Sequence, residues 1–86
     1  MNINELIAIV KNKLESEIII QDLQIEDKSF LHKNHKGHQE GKFHLKLIIS
    51  SDELAKTSKI SSTKRIYSIL DIELKKYIHS IQILLN

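Results

Sequence analysis

Histidine is where this sequence concentrates its chemistry. There are five, at His32, His35, His38, His44 and His79, and four of them fall between positions 32 and 44. A neutral imidazole nitrogen binds zinc, iron or copper, so the H-x2-H-x2-H run of His32, His35 and His38 has the residue types of a metal loop. The same run reads equally as exposed loop histidines. Structural zinc sites usually add cysteine on a rigid frame, and here the surroundings are lysine-rich with glycine at Gly37 and Gly41. There is no cysteine, so disulfides, thiol nucleophiles and thiolate ligands are all excluded. His79 stands apart, in an apolar C-terminal run just beyond a helical pattern. On pattern alone it reads as a partly buried core histidine or as a functional imidazole. No nucleophile elbow, H-E-x-x-H or P-loop accompanies these residues, Asp71 and Glu73 read as the solvated face of a helix, and no enzyme is expected. Gly37 and Gly41 lie four apart, so they do not form the G-x-x-G clamp with which KH domains hold nucleotide backbones.

The elements that must position these histidines follow from periodicity. Ile3, Leu6, Ile7, Val10 and Leu14 recur at helical spacing behind Asn2 and Glu5, a capping pair in which each side chain would meet the other's backbone N–H. This predicts a helix from Ile3 to about Glu15. Ile18 to Ile20, then Leu23 and Ile25 alternating with Gln24 and Glu26, predict a first strand. A long polar loop spans Lys28 to Lys42. Phe43, Leu45, Leu47 and Ile49 alternate with polar residues in a second strand, which turns His44 away from the core. Ser51 to Thr57 has a helix-start composition. A long helix follows, capped by Ser61 or Ser62 and running to about Lys76, with Lys75 and Lys76 complementing its dipole. The last strand places His79 on one face with Ile81 and Ile83, opposite Ser80 and Gln82. The early strands can pair antiparallel, and a helical crossover makes the third parallel to the second. The expected architecture is therefore α/β, a three-stranded mixed sheet covered by helices on one face.

With 86 residues the chain is one domain, expected to span 1–86, with little room for an enclosed cleft. No apolar run approaches the ~20 residues of a membrane span and no leader pattern opens the chain, so a cytoplasmic protein with no membrane partner is expected. The net charge of +2 comes almost wholly from lysine, Arg65 being the only arginine. Nucleic-acid readers usually cluster arginine, whose planar fork fits phosphate, so a solvated lysine surface is the favoured reading of that charge.

With these residues placed, the chain resembles the BolA family over essentially its full length. Ile25-Glu26-Asp27-Lys28-Ser29 is similar to the family's strand-end V-x-D-E-S, and His32 with His35-x-Gly37 to its H-x-x-H-x-G. His44-Leu45 and the strand to Ser51 match its H-F and serine-ended strand. Ile66-Tyr67, Glu73-Leu74 and Ile78-His79-Ser80-Ile81 match its V-Y, E-L and V-H-A-L. Where the family has a glycine and an R-H-R run, this chain has Lys56 and Ser62-Thr63-Lys64.

The resemblance implies the αββααβ class II KH-like fold and a non-enzymatic role beside a monothiol glutaredoxin in iron-sulfur cluster trafficking or iron sensing. The chain would be a monomer alone or a weak homodimer. It would lend imidazoles to a [2Fe-2S] cluster whose thiolates come from the glutaredoxin and glutathione, and would hold no cofactor when alone. His79 matches the family's C-terminal ligand histidine. His32 is the first choice for a second ligand and His35 the runner-up. His38 has no family counterpart, and His44 would shape the surface beside the site. The alternative that the resemblance implies is a DNA-binding transcriptional regulator linked to stress response and cell morphology, using Lys59, Lys64 and Arg65. The missing arginines and the absent G-x-x-G weaken it.

Overall fold

Asn2 opens the first helix by accepting the Glu5 backbone N–H at 2.8 Å, so the cap forms where the sequence places it. The return contact differs: the Glu5 carboxylate takes the Asn2 side-chain amide at 3.0 Å. In the computed structural model, which describes residues 1–29 and 42–86, this helix is α1, Ile3–Glu17. It buries Leu6, Val10 and Leu14, the stripe that the 3.6-residue period marks. It ends when Ile18 turns extended, its N–H closing on the Leu14 carbonyl at 2.9 Å. Ile18 is buried and Ile19 exposed, so the β-branched triplet is a connector, and the first strand starts later than its composition suggests.

That strand is β1, Asp22–Asp27, and it pairs antiparallel with β2, Phe43–Ser50, through Leu23 opposite Ile49 and Ile25 opposite Leu47. The third, β3, Ile78–Leu85, runs parallel to β2, giving the order β1-β2-β3 in a mixed sheet. Leu45, Leu47 and Ile49 of the central strand are at most 2% exposed. The expected polar connection over 28–42, with Gly37 and Gly41, lies mostly outside the described residues.

The crossover is made of three helices: α2, Asp52–Ala55; α3, Lys59–Ile69; and α4, Asp71–Lys76. Ser51 caps α2, accepting the Leu54 N–H at 3.1 Å while its hydroxyl donates to the Ile19 carbonyl at 2.7 Å. The cap of α3 is Ser58, not Ser61 or Ser62. Ser62 is buried in the α2–α3 corner instead, where its hydroxyl donates to the Leu54 carbonyl at 3.2 Å and meets the Thr57 hydroxyl at 2.8 Å. The expected single long helix bends at Leu70, although its hydrogen bonds continue from Leu70 to Ile66 and from Leu74 to Leu70. Glu73, expected in solvent, is only 5% exposed. It follows Ile66 and Leu70 on the inward stripe and grips the Lys13 ammonium of α1 at 2.8 and 3.0 Å. Asp71 is exposed and pairs with Lys75 one turn on. Among the described residues no helix is long and apolar enough to cross a membrane.

Glu53 and Arg65 fasten the end of α1 to α2 and α3. The Glu53 carboxylate accepts the Ile19 backbone N–H at 3.2 Å and pairs with the Arg65 guanidinium, which also donates to the Glu17 carbonyl at 2.7 Å, at the negative end of α1. The Ile19 N–H, reinforced by Arg65, holds the Glu53 carboxyl below the usual glutamate value of 4.5. A carboxylate held low in the folded state stabilises the fold above the unfolded pKa, and that contribution is lost as pH falls through the lowered value. Glu53→Gln should therefore melt at lower temperature than the parent at neutral pH, and the two should converge at an acid pH below that lowered value, where the parent carboxylate is protonated. Thermal denaturation followed by circular dichroism at both pH values checks this; a gap that persists in acid would mean that the ionised form contributes nothing.

Candidate functional site

The site is built where β1 ends and β2 and β3 begin. Asp27 accepts the Ser29 N–H at 2.9 Å, an Asx turn that stops β1. The Lys28 N–H donates to the His44 carbonyl at 2.7 Å, and the Ser29 hydroxyl accepts the His44 N–H at 3.0 Å. His44 is thus held through both backbone groups by the residues that lead into segment 30–41. On its other side the Phe43 N–H donates to the Tyr77 carbonyl at 2.9 Å, which pins the end of α4 to the start of β2.

The β2–β3 register contains one irregularity, and it falls on the histidine. Phe43 lies opposite Ile78, but His44 lies opposite Ser80, so His79 is an extra residue, a β-bulge in β3. Ile78 is buried and Ile81 returns to the inner face, while His79 and Ser80, between them, are both exposed. The expectation that His79 shares the inner face with Ile81 and Ile83 is thereby corrected. A one-residue insertion reverses side-chain parity, and here it turns the imidazole out of the core. The sequence carries the signal: Ile78 and Ile81 are three apart, whereas Ile81, Ile83 and Leu85 are two apart. Uniform alternation cannot bury all four.

His44 keeps its expected place on the outer face of the sheet, yet it is only 6% exposed. Its Nδ1 lies 2.6 Å from the Ser80 hydroxyl, and its ring centroid is 4.9 Å from that of His79, with the planes tilted by 60°. The two imidazoles therefore form one patch: His44 fixed by backbone and side-chain hydrogen bonds, His79 presented to solvent beside it. Ser80, which the sequence reading did not place in the site, holds the His44 ring. A shallow outer-face cavity of about 380 Å³ adjoins them, lined by Lys28, Lys46 and Gln82 with His44 and Ser80. His32, His35 and His38 lie outside the described residues; Ser29, which precedes their segment, bonds the His44 backbone. Among the described residues no three His, Asp or Glu side chains gather closely enough to hold a metal ion.

The residues of the nucleic-acid alternative separate. Lys59 and Lys64 are exposed on α3. Arg65 is committed to Glu53 and the Glu17 carbonyl, a structural clamp that explains the arginine without invoking phosphate.

The profile of the BolA-like protein family matches residues 14–86 of this sequence. The chain belongs to the BolA family. It is 32% identical over 73 residues to the DNA-binding transcriptional regulator BolA of Haemophilus influenzae, covering 85% of this chain and 68% of that protein. It is also 32% identical over 79 residues to the SufE-like protein 1, chloroplastic/mitochondrial, of Arabidopsis thaliana, of which it spans only 21%. The BolA domain of SufE1 from Arabidopsis thaliana superimposes with a TM-score of 0.77 at 29% identity, covering 100% of this chain and 93% of that one. BolA1 from Mus musculus has the same fold, with a TM-score of 0.71 at 19% identity over 90% of this chain and 60% of that one. These likenesses agree with the helix-first order, the helical crossover between β2 and β3 and the mixed sheet described above.

In this BolA-family chain the structural and presented imidazoles should respond differently to mutation. Ser80→Ala removes the partner of His44 Nδ1 and should cost about 1 kcal/mol of stability while shifting the His44 ring nitrogen signals. His79→Ala, at an exposed position, should change stability by less than about 0.5 kcal/mol. Urea denaturation and ring-nitrogen NMR read both; equal losses would show that His79 supports the fold.

Proposed function

We propose that this BolA-family chain is a non-enzymatic, cytoplasmic partner of a monothiol glutaredoxin, acting in iron-sulfur cluster trafficking or iron sensing. The observation that carries the reading is His79, raised out of the core by a bulge and set 4.9 Å from an anchored second imidazole. The donor set fits a shared [2Fe-2S] cluster and does not fit a resident one. The chain has no thiolate to offer, and the described residues bring no third ligand to His79 and His44. What they offer is one accessible imidazole nitrogen on a rigid strand, a borderline base that can complete a site whose sulfur ligands the glutaredoxin and glutathione supply. His79 is the first ligand in this proposal. His32, or else His35, is the second, supported by family resemblance. His44 acts as the positioning residue behind His79.

Mixing the protein with cluster-loaded monothiol glutaredoxin should give an absorption and circular-dichroism spectrum distinct from that of glutaredoxin alone. His79→Ala should abolish the difference and His32→Ala should alter it. A spectrum that His79→Ala leaves unchanged would remove His79 from the ligand set.

A second reading, sequence-recognising DNA binding, draws on the name of the Haemophilus influenzae relative and on the exposed Lys59 and Lys64. With Arg65 held in the fold, these lysines offer phosphate contacts but no bidentate fork for a base edge. Lys59→Ala with Lys64→Ala should weaken binding to any duplex alike and flatten its salt dependence by a slope of about 2. Electrophoretic mobility shifts on specific and scrambled duplexes across salt concentrations check this; a loss confined to one sequence would favour a regulator.

A further inference from the structure

The two edges of the sheet differ in a way that the histidine site does not explain. The β1 edge carries Asp22, Glu26 and Asp27, like charges that discourage a second strand from pairing there. The β3 edge carries none. From Ile78 to Asn86 there is no Asp, Glu, Lys, Arg or Pro, and the only bulge lies at the start, leaving Ser80 to Leu85 regular. Among the described residues β3 pairs with β2 alone. The Asn86 N–H donates to the Ile49 carbonyl at 2.9 Å, which fixes the orientation of the ladder. In a parallel pair, alternate residues turn their backbone groups to the neighbour. Gln82 and Leu84 therefore face β2, and Ile81, Ile83 and Leu85 turn their N–H and C=O groups to the open edge.

The side chains of those three residues are also incompletely covered. Ile81, Ile83 and Leu85 are half-buried, although their neighbours Leu45, Leu47 and Ile49 on the same inner face are fully buried. On the outer face Leu84 is 39% exposed. We propose that the β3 edge is a self-association surface, where a second copy of this chain adds its own β3 antiparallel across a two-fold axis at Ile83.

The edge is self-complementary in that arrangement. Ile83 faces Ile83 of the other copy and Ile81 faces Leu85, and each such pair exchanges two N–H···O bonds. Gln82 and Leu84 become cross-strand neighbours on the outer face, and no like charges meet. An axis perpendicular to the sheet keeps both helical layers on the same side, so a six-stranded sheet forms without burying either helix face. Each His79 lies four residues from the axis, which puts the two about 26 Å apart along the strand direction, both open to a larger partner. The segment is short, so the association is weak: a few strand residues bury less than the ~1,200 Å² of a standard stable interface.

Sedimentation equilibrium over a wide concentration range should show a reversible monomer–dimer equilibrium for the unaltered chain. Amide exchange at Ile81, Ile83 and Leu85 should slow as concentration rises, whereas that at Gln82 and Leu84, already bonded to β2, should not change. Gln82→Lys with Leu84→Lys, both at exposed outer-face positions, should weaken the dimer at least about tenfold without altering the far-ultraviolet spectrum. If the double variant loses its fold, Leu84→Lys alone gives the same comparison, and the exchange measurement needs no variant. A single-chain mass at every concentration, exchange at the three amides independent of concentration, or a dimer that survives the lysines would overturn the proposal.

Discussion

The three-residue spacing between Ile78 and Ile81 governs the site. Both isoleucines lie toward the core, and a strand cannot place residues three apart on one face unless it gains a residue. Both ends of the short stretch are also fixed. Tyr77 closes α4 and accepts the Phe43 N–H, while from Ile81 onward β3 is locked in parallel register with Leu45, Leu47 and Ile49. Between these anchors the extra residue has only one side to go to. His79 is exposed because its neighbours are not. A side chain placed by the backbone and by the burial of others contributes little packing itself, so its chemistry can be exchanged or lost with the fold intact.

The one-sided helical layer explains why this chemistry belongs to the outer face. α1 and the crossover helices cover the inner face and pack around Leu6, Val10, Leu14, Leu47, Ile66 and Leu70. The ionic contacts near that layer serve the frame. Glu73 holds Lys13 of α1, and Glu53 with Arg65 joins the end of α1 to α2 and α3. Arg65, a residue of the nucleic-acid alternative, belongs to the frame instead, because its guanidinium bridges two acceptors within the fold. On the face without helices, the His44 ring meets the Ser80 hydroxyl beside the exposed His79.

Much of this was legible in the sequence because burial imposes periods. The α1 stripe, the odd-numbered apolar face of β2 and the order of elements followed from spacing alone, and the family's motifs pointed to His79. The misreadings share a physical cause, competition between local pattern and tertiary demand. Ile18 to Ile20 have strand propensity, but α1 needed its final turn and Ile18 was drawn into the core as its cap. Ser61 and Ser62 have cap composition, but Ser58 has the extended backbone, and Ser62 is buried in the α2–α3 corner, where its hydroxyl donates to the Leu54 carbonyl. Glu73 reads as solvent-facing until Lys13, sixty positions earlier, is brought beside it. The bulge was visible as a broken period, but its meaning depends on β2, because only the register shows which residue is surplus.

His44 and His79 show why two identical side chains on one patch need not share a role. The backbone N–H and C=O of His44 are bonded to Ser29 and Lys28, and its Nδ1 meets Ser80, so its backbone is pinned and its ring is anchored at one nitrogen. His79 has the reverse character: its ring leans on His44 but lies in solvent. The shared cluster proposed above would need both properties, a support that sets the direction of approach and a donor that can be reached before the partner is docked. One imidazole cannot be buried enough to be rigid and exposed enough to be met. Division between neighbouring strands resolves that conflict, and the bulge makes the division possible by setting His79 and Ser80 together on the outer face, one to be reached and the other to hold His44.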